Sequence, residues 1–271
     1  MPLSIVDIMN FTNYFSVLSH FLKNPNYVFN ILSNNDDNLL KDKLFENSIL
    51  LSNFVEIFNG IATFANKSGI YNEPINENCK KLITGKDIAR YRTNWNGLYV
   101  EYIREKLQRA RDESIFIAEE KLIMQRIGGI LVTAYDDEQF YTYNSVNNLI
   151  LKNNSNINLK FILGLLNSKL LRFFYIKFCS NNSTLTVNIS KTLLDSLPIP
   201  KITPENQPLH DALVKLVEQM LQAKKDEQNA VTDHDKNFYR NLTQSLDNRI
   251  NKTVYQLYNL TEEEIDLVEG A

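Results

Sequence analysis

The sequence predicts an α+β fold, in which a mixed β-sheet domain is followed by an antiparallel helical hairpin. Three observations predict it. Between residues 54 and 143, short β-type runs alternate with turn residues rather than with long helices. From residue 209 onward, apolar residues recur at helix spacing in two long stretches. The chain has 271 residues, 44% hydrophobic and 23% charged, which suits one large domain or two small ones with a real core.

The elements follow in order. Ile5, Ile8, Met9, Tyr14, Val17, Leu18, Phe21 and Leu22 share one helical face, and Asn24-Pro25 ends that helix. Asn34 to Asn38 reads as a loop. This lead-in, residues 1–50, needs the next domain to bury its apolar face. The β-rich part, residues 51–200, opens with a strand from Phe54 to Ile61. Further strands are Lys80 to Thr84, which runs into the turn at Gly85, and Gly97 to Ile103. Lys121 to Arg126, Ile130 to Tyr135 and Gln139 to Tyr143 read as two successive hairpins, divided by Gly128-Gly129 and Asp136-Asp137-Glu138. Leu159 to Phe178 is helical, with Phe173, Phe174 and Tyr175 as core, and Leu197-Pro198-Ile199-Pro200 closes this part.

Residues 201–271 form the hairpin. Leu209, Leu213, Leu216, Val217 and Met220 mark its first helix. Tyr239, Leu242, Leu246, Ile250, Val254 and Leu257 mark its second, after a charged link from Lys224 to Asp235. Thr261 precedes Glu264 by three residues, a capping box that starts a last short helix.

Composition excludes several classes. Cys79 and Cys179 are the two cysteines, and no CxxC occurs, so a disulfide scaffold or zinc ribbon is not expected and a cytoplasmic setting is. Asparagine is roughly one residue in eight, but scattered, which reads as many turns. No signal peptide is expected. Lys169, Arg172 and Lys177 interrupt the most apolar helical stretch, Phe161 to Cys179, and argue against a membrane span. His20, His210 and His234 do not sit beside a nucleophile elbow, and GxSxG, P-loop, GxGxxG and HExxH motifs are missing. Without a glycine-rich strand-to-helix turn, no S-adenosylmethionine binding is expected.

The net charge is -3, yet residues 80–127 carry about 11 basic and 7 acidic side chains, and residues 160–201 about 6 and 1. A basic centre between acidic ends is compatible with a nucleic-acid face. Three acidic or catalytic-looking groups compete with that reading. Asp136-Asp137-Glu138 reads as a turn of solvated acids. Asp112 with Glu119 and Lys121 has the residue types of a metal-dependent nuclease, two carboxylates for a divalent ion and a lysine to activate water. Asn24-Pro25-Asn26-Tyr27 is similar to the tetrapeptide of amino-methyltransferases, with Asn26 in place of the second proline.

Six blocks in order carry a family resemblance. They are Phe54 to Thr63 with Asn66-Lys67, Lys81 to Tyr91, Lys121 to Arg126, Leu166-Asn167-Ser168-Lys169-Leu170 with Phe173-Phe174-Tyr175, Leu197 to Pro200, and Val254 to Ile265. Together they resemble the TaqI-like C-terminal specificity domain, the target recognition domain of adenine-specific DNA methyltransferases and type IIG restriction–modification enzymes. Type I specificity subunits use related domains. The resemblance covers roughly residues 50–271. It implies a sequence-specific recognition module that clamps double-stranded DNA and reads base edges. A methyltransferase domain or subunit would bind S-adenosylmethionine and modify an adenine, so no cofactor and no catalysis are expected in this chain itself.

Basic and amide residues at predicted loop and strand ends are the candidates for DNA contact: Lys67, Lys86, Arg90, Arg92, Gln125, Arg126, Asn181, Asn182, Thr184 and Lys191. Arg90 could read a guanine or meet a phosphate; Arg92 is assigned to phosphate. A helical turn through Ile88 and Ala89, with Tyr91 packed inward, would place Arg90. The alternatives are a nuclease fragment using Asp112, Glu119 and Lys121, and a protein-interaction module acting through the hairpin.

Overall fold

A computed structural model describes residues 35–64, 69–153, 155–179 and 188–270. The expected N-terminal helix, the Asn24-Pro25-Asn26-Tyr27 block, Lys67, Asn181, Asn182 and Thr184 lie outside these residues.

Helix α1 (Asn35–Glu46) occupies most of the stretch expected to be a loop. Asp36 and Asp37 lie in its first turn, where carboxylates favour the positive helix end. Asp37 is buried and ion-paired with Lys177. A polar run that reads as a turn is here a helix start.

The centre is a four-stranded antiparallel sheet, ordered β2 (Val55–Asn59), β11 (Val146–Leu151), β8 (Lys121–Gln125) and β9 (Thr133–Asp136). β11 lies where no strand was expected, and it carries Asn147-Asn148. Both asparagines are buried, and each has partners there. Asn147 Nδ2 donates to the Ile189 carbonyl, and Asn148 Nδ2 donates to Thr142 Oγ1 and the Phe58 carbonyl. Asn148 Oδ1 also accepts from Thr142 Oγ1, whereas Asn147 Oδ1 is buried without a partner, so the strand holds one fully paired amide and one half-paired.

A second sheet is ordered β10 (Tyr141–Thr142), β4 (Cys79–Ile83), β7 (Tyr99–Glu101) and β3 (Ile70–Tyr71). β8 and β9 form the first expected hairpin. The second does not form: β10 leaves β9 and pairs in parallel with β4. The redirection follows from Asp136, whose carboxylate turns inward and accepts from the backbone N–H groups of Glu138 and Phe140. Gln139, at φ 57°, completes the bend. Two short pairs remain. β1 (Ser48–Leu50) lies against β12 (Pro198–Pro200), and β5 (Ile88–Ala89) against β6 (Arg92–Thr93).

Apolar side chains of β2, β8 and β11 join α2 (Leu159–Leu166) and α3 (Lys169–Phe174) in the largest core, which includes Phe161, Phe173, Phe174 and Tyr175. The expected single helix is broken at Asn167-Ser168 and ends in a wider turn, Tyr175–Cys179. The break is built from hydrogen bonds. Asn167 pairs its side-chain amide with both backbone groups of Thr133 on the edge strand, and Ser168 caps α3. The short α4 (Lys191–Asp195) precedes β12.

Two long helices follow, α5 (Gln207–Asn229) and α6 (Asp233–Leu257). The link is shorter than expected. Lys224 to Glu227 remains helical, supported by an i,i+3 ion pair, and Thr232 caps α6. α5 sits on α2 where Gly164 has no side chain; a Cβ there would lie 2.9 Å from Val217 Cγ2. α7 (Glu262–Glu269) begins at the expected capping box, with Thr261 N donating to Glu264 Oε2 and Glu264 N to Thr261 Oγ1.

Candidate nucleic-acid interface

Antiparallel pairing brings the C-terminal ends of β2 and β8 beside the N-terminal end of β11. Segments far apart in sequence converge there. Gly60 N donates to the Val146 carbonyl and Ile61 N to the Thr142 carbonyl. A Cβ on Gly60 would lie 2.2 Å from the Tyr143 carbonyl oxygen, so only glycine permits this approach. Ala62 and Arg109 exchange two backbone hydrogen bonds, each 3.0 Å. Arg126 N donates to the Ser145 carbonyl, and Ile189 N to the Arg126 carbonyl.

The Gly85 turn joins the same end. Gly85 N donates to Ser145 Oγ at 2.9 Å. Asp87 folds back to accept from Thr84 N and Thr84 Oγ1, leaving Lys86 exposed at the tip. The helical turn is Gly85–Asp87, earlier in the chain than expected, while Ile88 and Ala89 are extended. Gln125 Nε2 donates to the Ile88 carbonyl. Lys191 is exposed beside β2, with Nζ 3.4 Å from the Ile57 carbonyl.

Lys86, Gln125, Arg126 and Lys191 are therefore gathered at one end of the central sheet. Arg109 and Arg111, which the sequence reading did not single out, stand with them. Their signal was the Arg109-Ala110-Arg111 pair within the basic block, but nothing in the sequence links it to Arg126. Arg111 has φ 68°, a left-handed conformation that costs a non-glycine residue about 1–3 kcal/mol. Its carbonyl accepts from Tyr102 Oη, and its Nε is buried without a partner. Its guanidinium pKa is held below the usual value by burial first, then by the charges of Arg109 and Arg126. Among the described residues, Lys86, Arg109, Arg111, Arg126 and Lys191 form no ion pair. The acids nearest Arg111 in sequence are engaged elsewhere: Asp112 accepts from Ser114 N and Oγ, and Glu113 from Tyr141 Oη.

Arg90 is held in a different place. Its Nη2 lies 2.5 Å from Asp247 Oδ1 on α6 and 2.7 Å from the Asn167 carbonyl. Tyr91 is buried, as expected, and its N–H donates to the Thr133 carbonyl. Arg92 lies in β6, which packs against β9 and α5. With Asn251 Oδ1 accepting from Lys169 N, Arg90 and Asn167 form a joint between sheet, helices and hairpin.

The nuclease-like triple is not assembled. Lys121 is buried, bonded to Asp136 at 2.7 Å and donating to the Phe116 carbonyl, whereas Asp112 and Glu119 are exposed. Asp136 is correspondingly not a solvated turn acid; it is the buried partner of Lys121, directly opposite it in the β8–β9 register. Among the described residues, no group of three or more histidine, cysteine or acidic side chains is placed to hold a metal ion. Among them, too, no helix is long and apolar enough to cross a membrane.

Residues 80–199 match the family described as the TaqI-like C-terminal specificity domain. The chain is also similar to the type IIL restriction–modification enzyme MmeI, solved in complex with DNA. The likeness has 13% identity and a TM-score of 0.53, and covers 76% of this chain and 33% of that one. It is similar to the HsdS subunit from Thermoanaerobacter tengcongensis at 14% identity and a TM-score of 0.43, over 93% of this chain and 54% of that one. A third likeness is to the type I restriction–modification S subunit from M. genitalium, at 15% identity and a TM-score of 0.40, over 67% of this chain and 41% of that one. The first is a likeness of fold, in which this chain spans about a third of the enzyme. No curated protein matches the sequence.

Proposed function

We propose that this chain, which carries a TaqI-like C-terminal specificity domain over residues 80–199, is the DNA-sequence recognition module of a restriction–modification system. The observation that carries the reading is the sheet end, where loops of a specificity domain present Lys86, Arg126 and Lys191 without carboxylate partners. A duplex is a dense polyanion, and its phosphates supply the missing counter-charge. Gln125 stands beside those cations and is a candidate for a base edge in the major groove.

The organisation is read as a lead-in over residues 1–50, a recognition part over 51–200 and a hairpin spacer over 201–271. Arg90 acts in this reading as a positioning residue that fixes the hairpin. The partner is a methyltransferase domain or subunit, which would hold S-adenosylmethionine and carry the catalysis. Support for a protein partner comes from the outer end of the hairpin, where Val231 is 87% and Phe238 57% exposed. The setting is cytoplasmic.

The test is duplex selection from a random pool, followed by binding isotherms over a range of salt. The expected result is enrichment of one sequence class, with affinity falling steeply as salt rises. Absence of salt-sensitive duplex binding by the purified chain would refute the proposal.

A further inference from the structure

We infer that Arg109, Arg111 and Arg126 together form a binding site for one backbone phosphodiester, at the sheet end where β2, β8 and β11 meet. The inference rests on the DNA-recognition reading and names the contact that does its anchoring.

Three features support it. The arginines come from two separate segments, and backbone pairing brings them together: Arg109 through its two bonds with Ala62, Arg126 through Ser145 and Ile189. None has an ion-pair partner among the described residues, so like charges are packed with nothing to neutralise them. A fold that only needed packing there would gain by replacing such a cluster with neutral residues. Finally, the site is held in a fixed shape. Arg111 is kept in a left-handed backbone conformation by Tyr102, and its buried Nε lacks an acceptor. Arg126 Nη1 is anchored on the Asn144 carbonyl at 2.9 Å, which leaves the rest of its guanidinium donors. Guanidinium groups close enough for the charges of Arg109 and Arg126 to act on Arg111 suit a tetrahedral anion with several acceptor oxygens. Reading a guanine edge would instead call for a single bidentate fork.

The experiment uses the full chain and its Arg109→Gln, Arg111→Gln and double variants. Two fluorescein-labelled duplexes serve as probes: one of mixed sequence, and one selected by the wild-type chain from a random pool. Isotherms are measured over a series of potassium chloride concentrations. A Lys215→Gln/Lys252→Gln variant removes the same charge from the hairpin groove. The expected log–log salt slope is shallower by about 0.9 in the double variant, the share of the one phosphate the site holds, equally on both duplexes, and unchanged in the hairpin variant. The Arg111→Gln chain should melt no lower than the wild type, since it loses a repelled charge. An unchanged slope in the double variant, with duplex binding intact, overturns the arginine site and leaves the recognition reading standing. Loss confined to the selected duplex overturns the phosphate assignment in favour of base reading. Failure of the wild-type chain to bind either duplex refutes the recognition reading, and this site with it.

Discussion

Replacing Asn167 with alanine is expected to destabilise the chain by about 2–4 kcal/mol. Asn167 is 4% exposed and sits where α2 stops and α3 begins. Its Oδ1 accepts from Thr133 N at 3.1 Å, and its Nδ2 donates to the Thr133 carbonyl at 2.9 Å. That carbonyl also accepts from Tyr91 N at 2.9 Å, so it keeps a partner when the amide is removed. The Thr133 N–H does not. Leaving one buried donor unpaired costs about 1–3 kcal/mol, and the lost second bond adds about 1 kcal/mol. For a chain of this size, that corresponds to a fall in melting temperature of about 5–15 °C. Urea unfolding, extrapolated linearly, is the assay. Asn167→Asp sharpens it, because the carboxylate would keep the Thr133 N–H but face the Thr133 carbonyl, raising its folded pKa. A raised folded pKa makes the variant most stable below the ordinary carboxyl value of about 3.9 and progressively weaker as pH rises through the folded value. An Asn167→Ala change within about 0.5 kcal/mol of wild type, at an unchanged urea slope, would refute the reasoning, since it would mean that water reaches the Thr133 N–H.

Other outcomes follow from single contacts. Lys121→Met strands the buried Asp136 carboxylate and should cost about 3–5 kcal/mol by urea unfolding, with much of it recovered when Asp136 is neutralised as well. Asp247→Ala releases Arg90, whose side chain is 39% exposed, so the loss should be only about 1 kcal/mol; Arg90→Ala should leave the salt slope of duplex binding unchanged. Gly60→Ala drives a Cβ into the Tyr143 and Thr142 carbonyls and should cost about 3 kcal/mol, visible in a thermal melt. Burial pushes the Cys179 thiol up to about 12, so iodoacetamide at pH 8 should alkylate it at least about a hundredfold more slowly in the native chain than in urea.

Local signals placed many elements correctly. The two hairpin helices, the Thr261–Glu264 capping box and the strand into the Gly85 turn follow from spacing and cap chemistry that act within a few residues. The α+β class followed from the same signals. The failures were polar residues whose partners lie far along the chain. No strand was expected at β11, where the Asn147 and Asn148 amides donate to the distant Ile189 and Phe58 carbonyls. Asp136 looks solvated until Lys121 faces it across the sheet.

The candidate site divides in the same way. By itself the sequence determined the residue types, the basic blocks and the order of the family-like segments, from which Lys86, Gln125, Arg126 and Lys191 could be named. Only the tertiary structure decided which cations stand together. The Ala62–Arg109 bridge and the Arg126–Ser145 bond bring Arg109 and Arg111 beside Arg126, while the Asp247 carboxylate draws Arg90 to the hairpin. Whether a charge is paired depends on neighbours within a few ångströms in space, and chain order does not encode those neighbours where strands from distant segments meet.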